Sequence, residues 1–389
     1  MTERLILVFN AGSSSLKFAV FDAGAEPLRP VLDGAVRGIG RRRTTFELGA
    51  ATQAVDAVAD ARAAARLVLE RLFGANALLS KERVFATGHR VVHGGERFSR
   101  PIRLTVSAFD ELKSRRALAP LHNPPALAVM ESVGDAFPDV PMVAVFDTAF
   151  FHDLPEAARR YALPRDWCER HRIRRYGFHG IAHAYLAEAL AGCGRRAITL
   201  HLGQGCSAAA LVDGRPVDTS MGFTPLEGLV MGTRAGDLDP GVIVHLMQLG
   251  YGARELEDAL NRRSGLLGLS GSSDDVRELL ALEANGDRDA ALALEVFCTR
   301  IRKYIGAYTA VLGGLDAIGI GGGVGENSSE IRERVLRPFN WLGIEIDPSA
   351  NAACRGTSAR ISSARSTVDV RVVPVKEEPA IARAVIDVL

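Results

Sequence analysis

Two arginines stand among small residues, and each is suited to reading an anion. Arg234 lies in DTSMGFTPLEGLVMGTRAGDLDPG, residues 218–241, flanked by Gly232, Thr233, Ala235 and Gly236. Arg90 lies in GHRVVHGG, residues 88–95. Small neighbours let a ligand approach the backbone, and a guanidinium forks onto phosphate or carboxylate oxygens. Residues 218–241 hold five glycines and two prolines, which break any helical or strand period and predict a long loop. Met221, Phe223, Leu226, Leu229, Val230 and Met231 give that loop too much apolar surface for disorder. The competing reading is a surface loop in which Arg234 pairs with Asp237 or Asp239.

Other groups carry weaker signals. NAGSSS, residues 10–15, is a Gly/Ser turn whose N–H groups and hydroxyls suit a phosphate, with Lys17 in reach; taken alone, a plain polar hairpin tip is the commoner case. GxxxxGK[ST] is absent. His89 and His93 have a metal-ligand spacing, but no further ligand is near, and core or loop histidines are the commoner case. Asp147 ends a strand at 142–146, where α/β folds place ligands, or it is an N-cap for the segment after it. His179 sits in YGFHG, residues 176–180, facing a pocket or packed. A glycine-lined turn at 321–325 suits a nucleotide lying against the backbone, although GxGxxG cannot be laid on it. Glu377 and Glu378 fit a metal or, more commonly, a helix N-terminus.

These residues need a frame. Residues 5–9 and 16–21 read as strands around the first Gly/Ser turn, and 198–202 and 208–212 as strands around a second at 203–207. Two such hairpins, one in each half, predict a duplicated fold with a cleft between the copies. Helices are expected over 53–73, 181–190 and 296–311, and from Asn327 with Glu330 as a capping box. At 389 residues the chain has room for two domains. A net charge of +1 gives no reason to expect nucleic acid or an anionic membrane as partner, so any anion site is local. Five scattered cysteines without a CxxC pair fit reduced thiols in a cytoplasm. MTERLILVFN lacks signal-peptide architecture, and glycines with Asp316 exclude a membrane span over 304–324.

Taken together, NAGSSSLKF, GHRVVHGG, LHNPPAL, VFDTAFF, YGFHG, the 218–241 loop, SGLLGLSGSSDDVREL, GGGVGEN and EEPAIAR resemble the acetate kinase family, in its order, from residue 5 to residue 383. The resemblance implies an α/β, duplicated actin-like (ribonuclease H-like) fold of two domains with an interdomain cleft. The expected domains are 1–148 with 378–389, and 149–377. It implies reversible, direct in-line transfer of the ATP γ-phosphoryl group to acetate, giving acetyl phosphate and ADP, with Mg2+ (Mn2+ as the alternative), and a place in acetyl-CoA biosynthesis. By the family pattern Asn10 and Glu377 hold the metal, and Lys17 approaches the nucleotide phosphates. Arg90 binds the acetate carboxylate beside an apolar wall of Val92, Leu121 and Pro225. Asp147, His179 and Arg234 are catalytic, the last two on the transition state. His201, Leu202, Gly203, Gln204 and Gly205, then Asp275, Val276 and Arg277, then Gly323, Val324, Gly325, Glu326 and Asn327 line the ATP site. A cytoplasmic homodimer is expected.

Acetate is already an anion at neutral pH, so its oxygen needs no deprotonation and Asp147 reads as a positioning carboxylate rather than a general base. Three positions depart from the family pattern. Gln204 replaces the usual asparagine of a GNG turn and is expected to make the same phosphate contact. Lys376 replaces an asparagine, and Val276 is at a variable position. Two other functions compete: a kinase for propionate or another short-chain carboxylate, and a non-enzymatic actin-like or chaperone-like ATP-binding module. Val92, larger than alanine, favours acetate, and the full set Arg90, His179 and Arg234 speaks against the module.

Overall fold

The computed structural model describes residues 4–12, 14–114 and 123–389. Two compact units divide the chain, Met1–His152 with Lys376–Leu389, and Asp153–Val375.

The first unit is built on β1 (Leu5–Ala11), β2 (Ser15–Asp22), β3 (Arg29–Arg37), β4 (Thr44–Leu48), β5 (Ala51–Val55), β6 (Val84–Val91), β7 (Ile102–Arg103) and β8 (Met142–Phe146). Their order in the sheet is β5-β4-β3-β2-β1-β6-β8-β7. β1 to β5 form an antiparallel meander, whereas β6 runs parallel to both β1 and β8. β1 reads as a continuous apolar run because both of its faces are covered. Leu5, Leu7 and Phe9 join the core with Ala64, Val68 and Leu72 of the helix Ala61–Phe73 and Val129 and Val133 of the helix Asn123–Ala136. The helix Glu377–Val388 lies on the opposite face. A Cβ at Gly88 of β6 would stand 2.8 Å from Cγ2 of both Ile381 and Val385, so the bare backbone there lets this helix seat.

The helix expected over 53–73 begins only at Ala61, behind the Asp60 cap, which accepts a 2.8 Å hydrogen bond from the Ala63 N–H. Residues Ala51–Val55 are a strand instead, paired with β4 from Thr44↔Val55 to Leu48↔Ala51. Cross-strand pairing outweighs the local helix propensity of an alanine-rich stretch.

The second unit is built on β9 (Arg196–Leu202), β10 (Cys206–Val212), β11 (Arg215–Thr219), β12 (Ala317–Gly321), β13 (Ala359–Arg360) and β14 (Asp369–Val372), in the order β11-β10-β9-β12-β14-β13. β9, β10 and β11 are antiparallel, and β12 runs parallel to β9 and β14. This repeats β3-β2-β1-β6-β8 strand for strand, down to a two-residue antiparallel edge strand, β7 in one sheet and β13 in the other. The fold is therefore α/β and duplicated, of the actin-like kind. The helices Gly180–Ala189 and Arg288–Leu312 pack on the second sheet. The expected Asn327 cap is not used: Ser328 caps the helix Ser329–Leu336, and Asn327 Nδ2 donates back to the Gly323 carbonyl at 2.9 Å. No helix among the described residues is long and apolar enough to cross a membrane.

Candidate active site

In the first unit, three neighbouring parallel strands end in polar residues: Asn10 on β1, Arg90 on β6, and Asp147 just past β8. This is the edge at which α/β sheets bind ligands. Arg90 and Asp147 pair fork to fork, with Nε 3.0 Å from Oδ1 and Nη2 2.6 Å from Oδ2. Arg90 Nη1 donates to Asn10 Oδ1 at 2.9 Å and lies 3.2 Å from Glu377 Oε2. Asn10 Nδ2 donates to Glu377 Oε2 at 2.8 Å and to Glu378 Oε1 at 3.1 Å. Both glutamates are in the first turn of the helix Glu377–Val388, where its dipole favours them. They also turn onto Asn10, so the dipole is only part of their role. Asp147 is wholly buried. Burial alone would lower the Arg90 pKa, but Asp147, Glu377 and Glu378 outweigh it and hold the guanidinium above its ordinary range.

Three carboxylates against one guanidinium leave this cluster short of positive charge. Such a site suits Mg2+, which keeps several waters and takes one or two protein carboxylates plus substrate phosphate. Among the described residues no three His, Cys, Asp or Glu side chains are arranged to hold a metal by themselves, His89 and His93 included. His89 is a core histidine: it is buried, stacked on Phe9, and its Nε2 is 3.0 Å from Thr87 Oγ1. Lys17 is exposed directly across the hairpin from Asn10. Val92 is buried just beyond β6, and Leu121 lies outside the described residues. Asn123 fixes the backbone at His93, next to Val92, by accepting from the His93 N–H at 3.1 Å and donating to the His93 carbonyl at 3.0 Å.

In the second unit, His179 and Arg234 come together against the Gly203–Gly205 turn. A Cβ at Gly205 would stand 3.3 Å from His179 Nε2 and 3.7 Å from Arg234 Nη1. His179 caps the helix Gly180–Ala189 with φ 57°, a left-handed conformation that L residues seldom adopt and that functional sites collect. Its ring is 4.7 Å from that of His201. Arg234 Nη1 donates to the Pro225 carbonyl at 3.1 Å, and burial lowers its pKa. Asp237 is engaged elsewhere, by the Gly228 N–H, Tyr304 and Arg300, and Asp239 caps the helix Pro240–Gln248. The loop that carries Pro225 is tied down by Glu227, which takes Arg175 Nη2 at 2.7 Å and the Tyr161 hydroxyl.

The remaining candidates divide by exposure. Gly203 and Gly323 are close, since a Cβ at Gly203 would be 3.8 Å from the Gly323 N–H nitrogen, and together they leave open backbone. Leu202 and Val276 are buried, so their side chains pack in the core. Asp275 caps the helix Val276–Ala284 and pairs with the exposed Arg277. Gly325 is buried beside the half-buried Val324. Glu326 Oε1 is committed to the Gly322 N–H at 2.8 Å and the Val375 N–H at 3.0 Å.

The sequence profile of the acetokinase family matches residues 5–383. The chain belongs to this family. An acetate kinase of Geobacillus kaustophilus (strain HTA426) is 44% identical over 390 residues, 98% of each chain. The crystal structure of Porphyromonas gingivalis acetate kinase is similar at a TM-score of 0.88 and 38% identity, covering 99% of both chains. That of a propionate kinase from Francisella tularensis subsp. tularensis SCHU S4 reaches 0.89 at 36% identity, covering 99% of this chain and 100% of the other.

Gln204, expected to stand in place of an asparagine, is held by local contacts. Its Nε2 donates to Asp274 Oδ2 at 2.9 Å, its backbone carbonyl accepts from the Gly232 N–H at 3.1 Å, and its carboxamide covers the bare Cα of Gly232. Lys376, likewise expected to stand in place of an asparagine, is exposed at the head of the helix Glu377–Val388. Several supporting residues carry no local sequence signal. Arg332 is buried and directs its guanidinium to Asn351 Oδ1 and to the carbonyls of Gly325, Glu326, Asn351 and Cys354, at 2.7–3.1 Å. It braces the turn of the GGGVGEN stretch from below. His183, Ser207 and Thr199 lie behind His179; the i, i+4 spacing from His179 is a signal by which His183 could be found, and Ser207 and Thr199 carry none.

Proposed function

We propose that this protein is an acetate kinase working by direct in-line phosphoryl transfer through the clusters around Arg90 and around His179. The family match over residues 5–383, within which Arg90, Asp147, His179 and Arg234 all stand, carries this reading. Arg90 receives the acetate carboxylate. Its Nε and one Nη2 proton are fixed by Asp147, and the second Nη2 proton has no partner among the described residues and points to an incoming anion. Asp147 is the orienting group and takes no proton. An acetate oxygen attacks the γ-phosphorus, the bond to the β–γ bridging oxygen breaks, and its electron pair leaves with ADP. His179 and Arg234 neutralise charge on the equatorial oxygens, where in-line transfer needs it. The Gly203–Gly205 and Gly323–Asn327 backbones, with Lys17, take the nucleotide phosphates. Asn10 and Glu377 are the residues to hold magnesium, which when bound supplies charge neutralisation to the phosphates.

Val92 narrows the acid site, and we assign acetate over propionate. One methylene is worth about 1–3 kcal/mol of discrimination, so the ratio is measurable. Acyl phosphate formation is followed with acetate, propionate and butyrate, each against ATP, GTP and pyrophosphate. Acetate with ATP is expected to give the highest kcat/KM. A propionate preference would move the assignment to a propionate kinase, and no acyl phosphate with any donor would remove the enzymatic reading.

We further propose a homodimer in the cytoplasm. The helix Pro240–Gln248 buries none of its residues, while Val242, Val244 and Met247 on it and Leu249 and Tyr251 beyond it are 40–64% exposed. A second copy of this chain would cover that face. Val244→Asp with Met247→Asp is expected to halve the mass measured by light scattering, and an unchanged mass would discard this interface. All five cysteines are free, as in a reducing compartment.

A further inference from the structure

Behind His179 a line of hydrogen bonds runs inward. His179 Nδ1 is 2.9 Å from Ser207 Oγ, Ser207 Oγ is 2.8 Å from His183 Nε2, and His183 Nδ1 is 2.7 Å from Thr199 Oγ1. Ser207, His183 and Thr199 are fully buried. The fold sets this alignment. His179 and His183 are one helical turn apart, Thr199 and His201 share one face of β9, and Ser207 pairs with His201 across β9 and β10.

Ser207 has one proton to place between two imidazoles, so the line has a direction. In one direction Thr199 donates to His183 Nδ1, His183 Nε2–H donates to Ser207, and Ser207 donates to His179 Nδ1. The His179 proton is then on Nε2. In the other, every bond is reversed, and the Thr199 hydroxyl proton needs an acceptor of its own. Thr199 Oγ1 makes no other hydrogen bond among the described residues, so reversal strands a buried O–H. A Ser207 that accepted from both histidines would strand its own proton in the same way.

We propose that Ser207, His183 and Thr199 are a positioning relay that fixes the proton of His179 on Nε2, the nitrogen turned to Gly205 and Arg234. His179 thereby meets the transferred phosphoryl group as a neutral N–H donor already aimed. The proposal rests on the role given to His179 above. Burial, with a smaller contribution from His201, holds the His183 pKa down at about 3, so His183 carries a single ring proton throughout the working range. The titratable groups beside His179 are His183 on its own helix, His201 on β9 and Arg234 in the long loop. A second proton on His179 would have to point Nδ1–H at Ser207 and reverse the relay, so the relay favours the neutral ring.

The full-length protein labelled with 15N at histidine provides the test, since ring nitrogens with and without a proton differ widely in shift. In the wild type the His179 signals are expected to show Nε2 protonated and Nδ1 bare. Ser207→Ala is expected to mix the two tautomers and to lower kcat by about 10-fold or more, with the KM for acetate and ATP within about 3-fold. Ser207→Thr keeps the hydroxyl and is expected to restore both readouts. Thr199→Val, at the far end of the line and away from any ligand, is expected to lose the Nε2 preference as well. A wild-type Nδ1–H tautomer, or a Ser207→Ala protein with unaltered His179 shifts, overturns the relay. If Ser207→Ala does not fold, Thr199→Val decides by the same shifts. Wild-type kcat in His179→Gln would instead overturn the role of His179 in transfer, which the shifts do not depend on.

Discussion

Arg90 and Asp147 face each other fork to fork from the ends of adjacent parallel strands, at 3.0 and 2.6 Å, with Asp147 wholly buried. Each holds the other in place. The guanidinium is kept charged against a fixed carboxylate, and with Nη1 on Asn10 and Glu377 only one Nη2 proton is left, among the described residues, for a small anion.

Arg90→Lys keeps the charge and loses the fork. One ammonium cannot serve both Asp147 oxygens and an incoming carboxylate. We expect the KM for acetate to rise by about 10- to 100-fold, the size of one lost charge-assisted hydrogen bond, with the KM for ATP little changed. Arg90→Ala should also cost about 3–5 kcal/mol of stability in urea titrations, because Asp147 is left buried without its guanidinium. An unchanged acetate KM in Arg90→Lys would remove Arg90 from the acid site.

Gln204 and Asp274 join the Gly203–Gly205 turn to the segment before the helix Val276–Ala284. If that contact sets the turn for phosphate, Gln204→Ala and Asp274→Ala should each lower kcat/KM for ATP by about 3- to 10-fold, the value of one hydrogen bond. The double variant should then be no worse than either single one. Fully additive losses would mean that Gln204 reaches the nucleotide on its own.

Arg332 has the largest fully buried side chain among the described residues, and its partners are amide and carbonyl oxygens. Lysine supplies three donors in a different geometry and strands several carbonyls. Arg332→Lys is expected to lose about 3 kcal/mol or more of stability and to weaken ATP more than acetate. Differential scanning calorimetry and the two KM values check this, and an unaltered melting temperature would contradict it.

His89 is driven by burial from an ordinary 6.5 down to about 3. A histidine held neutral in the fold but free to protonate when unfolded contributes stability above pH 6.5. That contribution is lost as pH falls from 6.5 toward 3. At pH 5 the loss from His89 is about 2 kcal/mol, and fully buried His183 adds a loss of the same sign. His89→Gln should be less stable than wild type at pH 7.5 and close that gap by pH 5 in urea titrations. A gap that stays constant would show that His89 does not carry the acid sensitivity.

How much of this was legible depends on range. The strands at 5–9, 142–146 and 198–202 are buried on both faces, so their apolar runs announce them, and with them Asn10 and Asp147 at strand ends. Arg90 and Arg234 stood out by their glycine neighbours. The helix Ala61–Phe73 was drawn too long because β5 exists only through pairing with β4, which composition does not encode. Arg332 sits in SSEIRERVL, where it reads as one more surface charge; besides Gly325 and Glu326 its partners are Asn351 and Cys354, far along the chain. Ser207 looked like part of a Gly/Ser turn, and only the pairing of β9 with β10 puts it between two histidines.

The seat that Gly88 offers to Ile381 and Val385 has a consequence for biosynthesis. The ribosome makes β1, β6 and β8 early, then all of Asp153–Val375, and only afterwards the helix that brings Glu377 to Arg90. A nascent chain therefore waits with one side of its first sheet uncovered and Arg90 still without Glu377, while the second unit can already fold. Until residue 377 is made, a stalled ribosome holds a chain in which Arg90 has Asp147 but not the glutamate that also faces it.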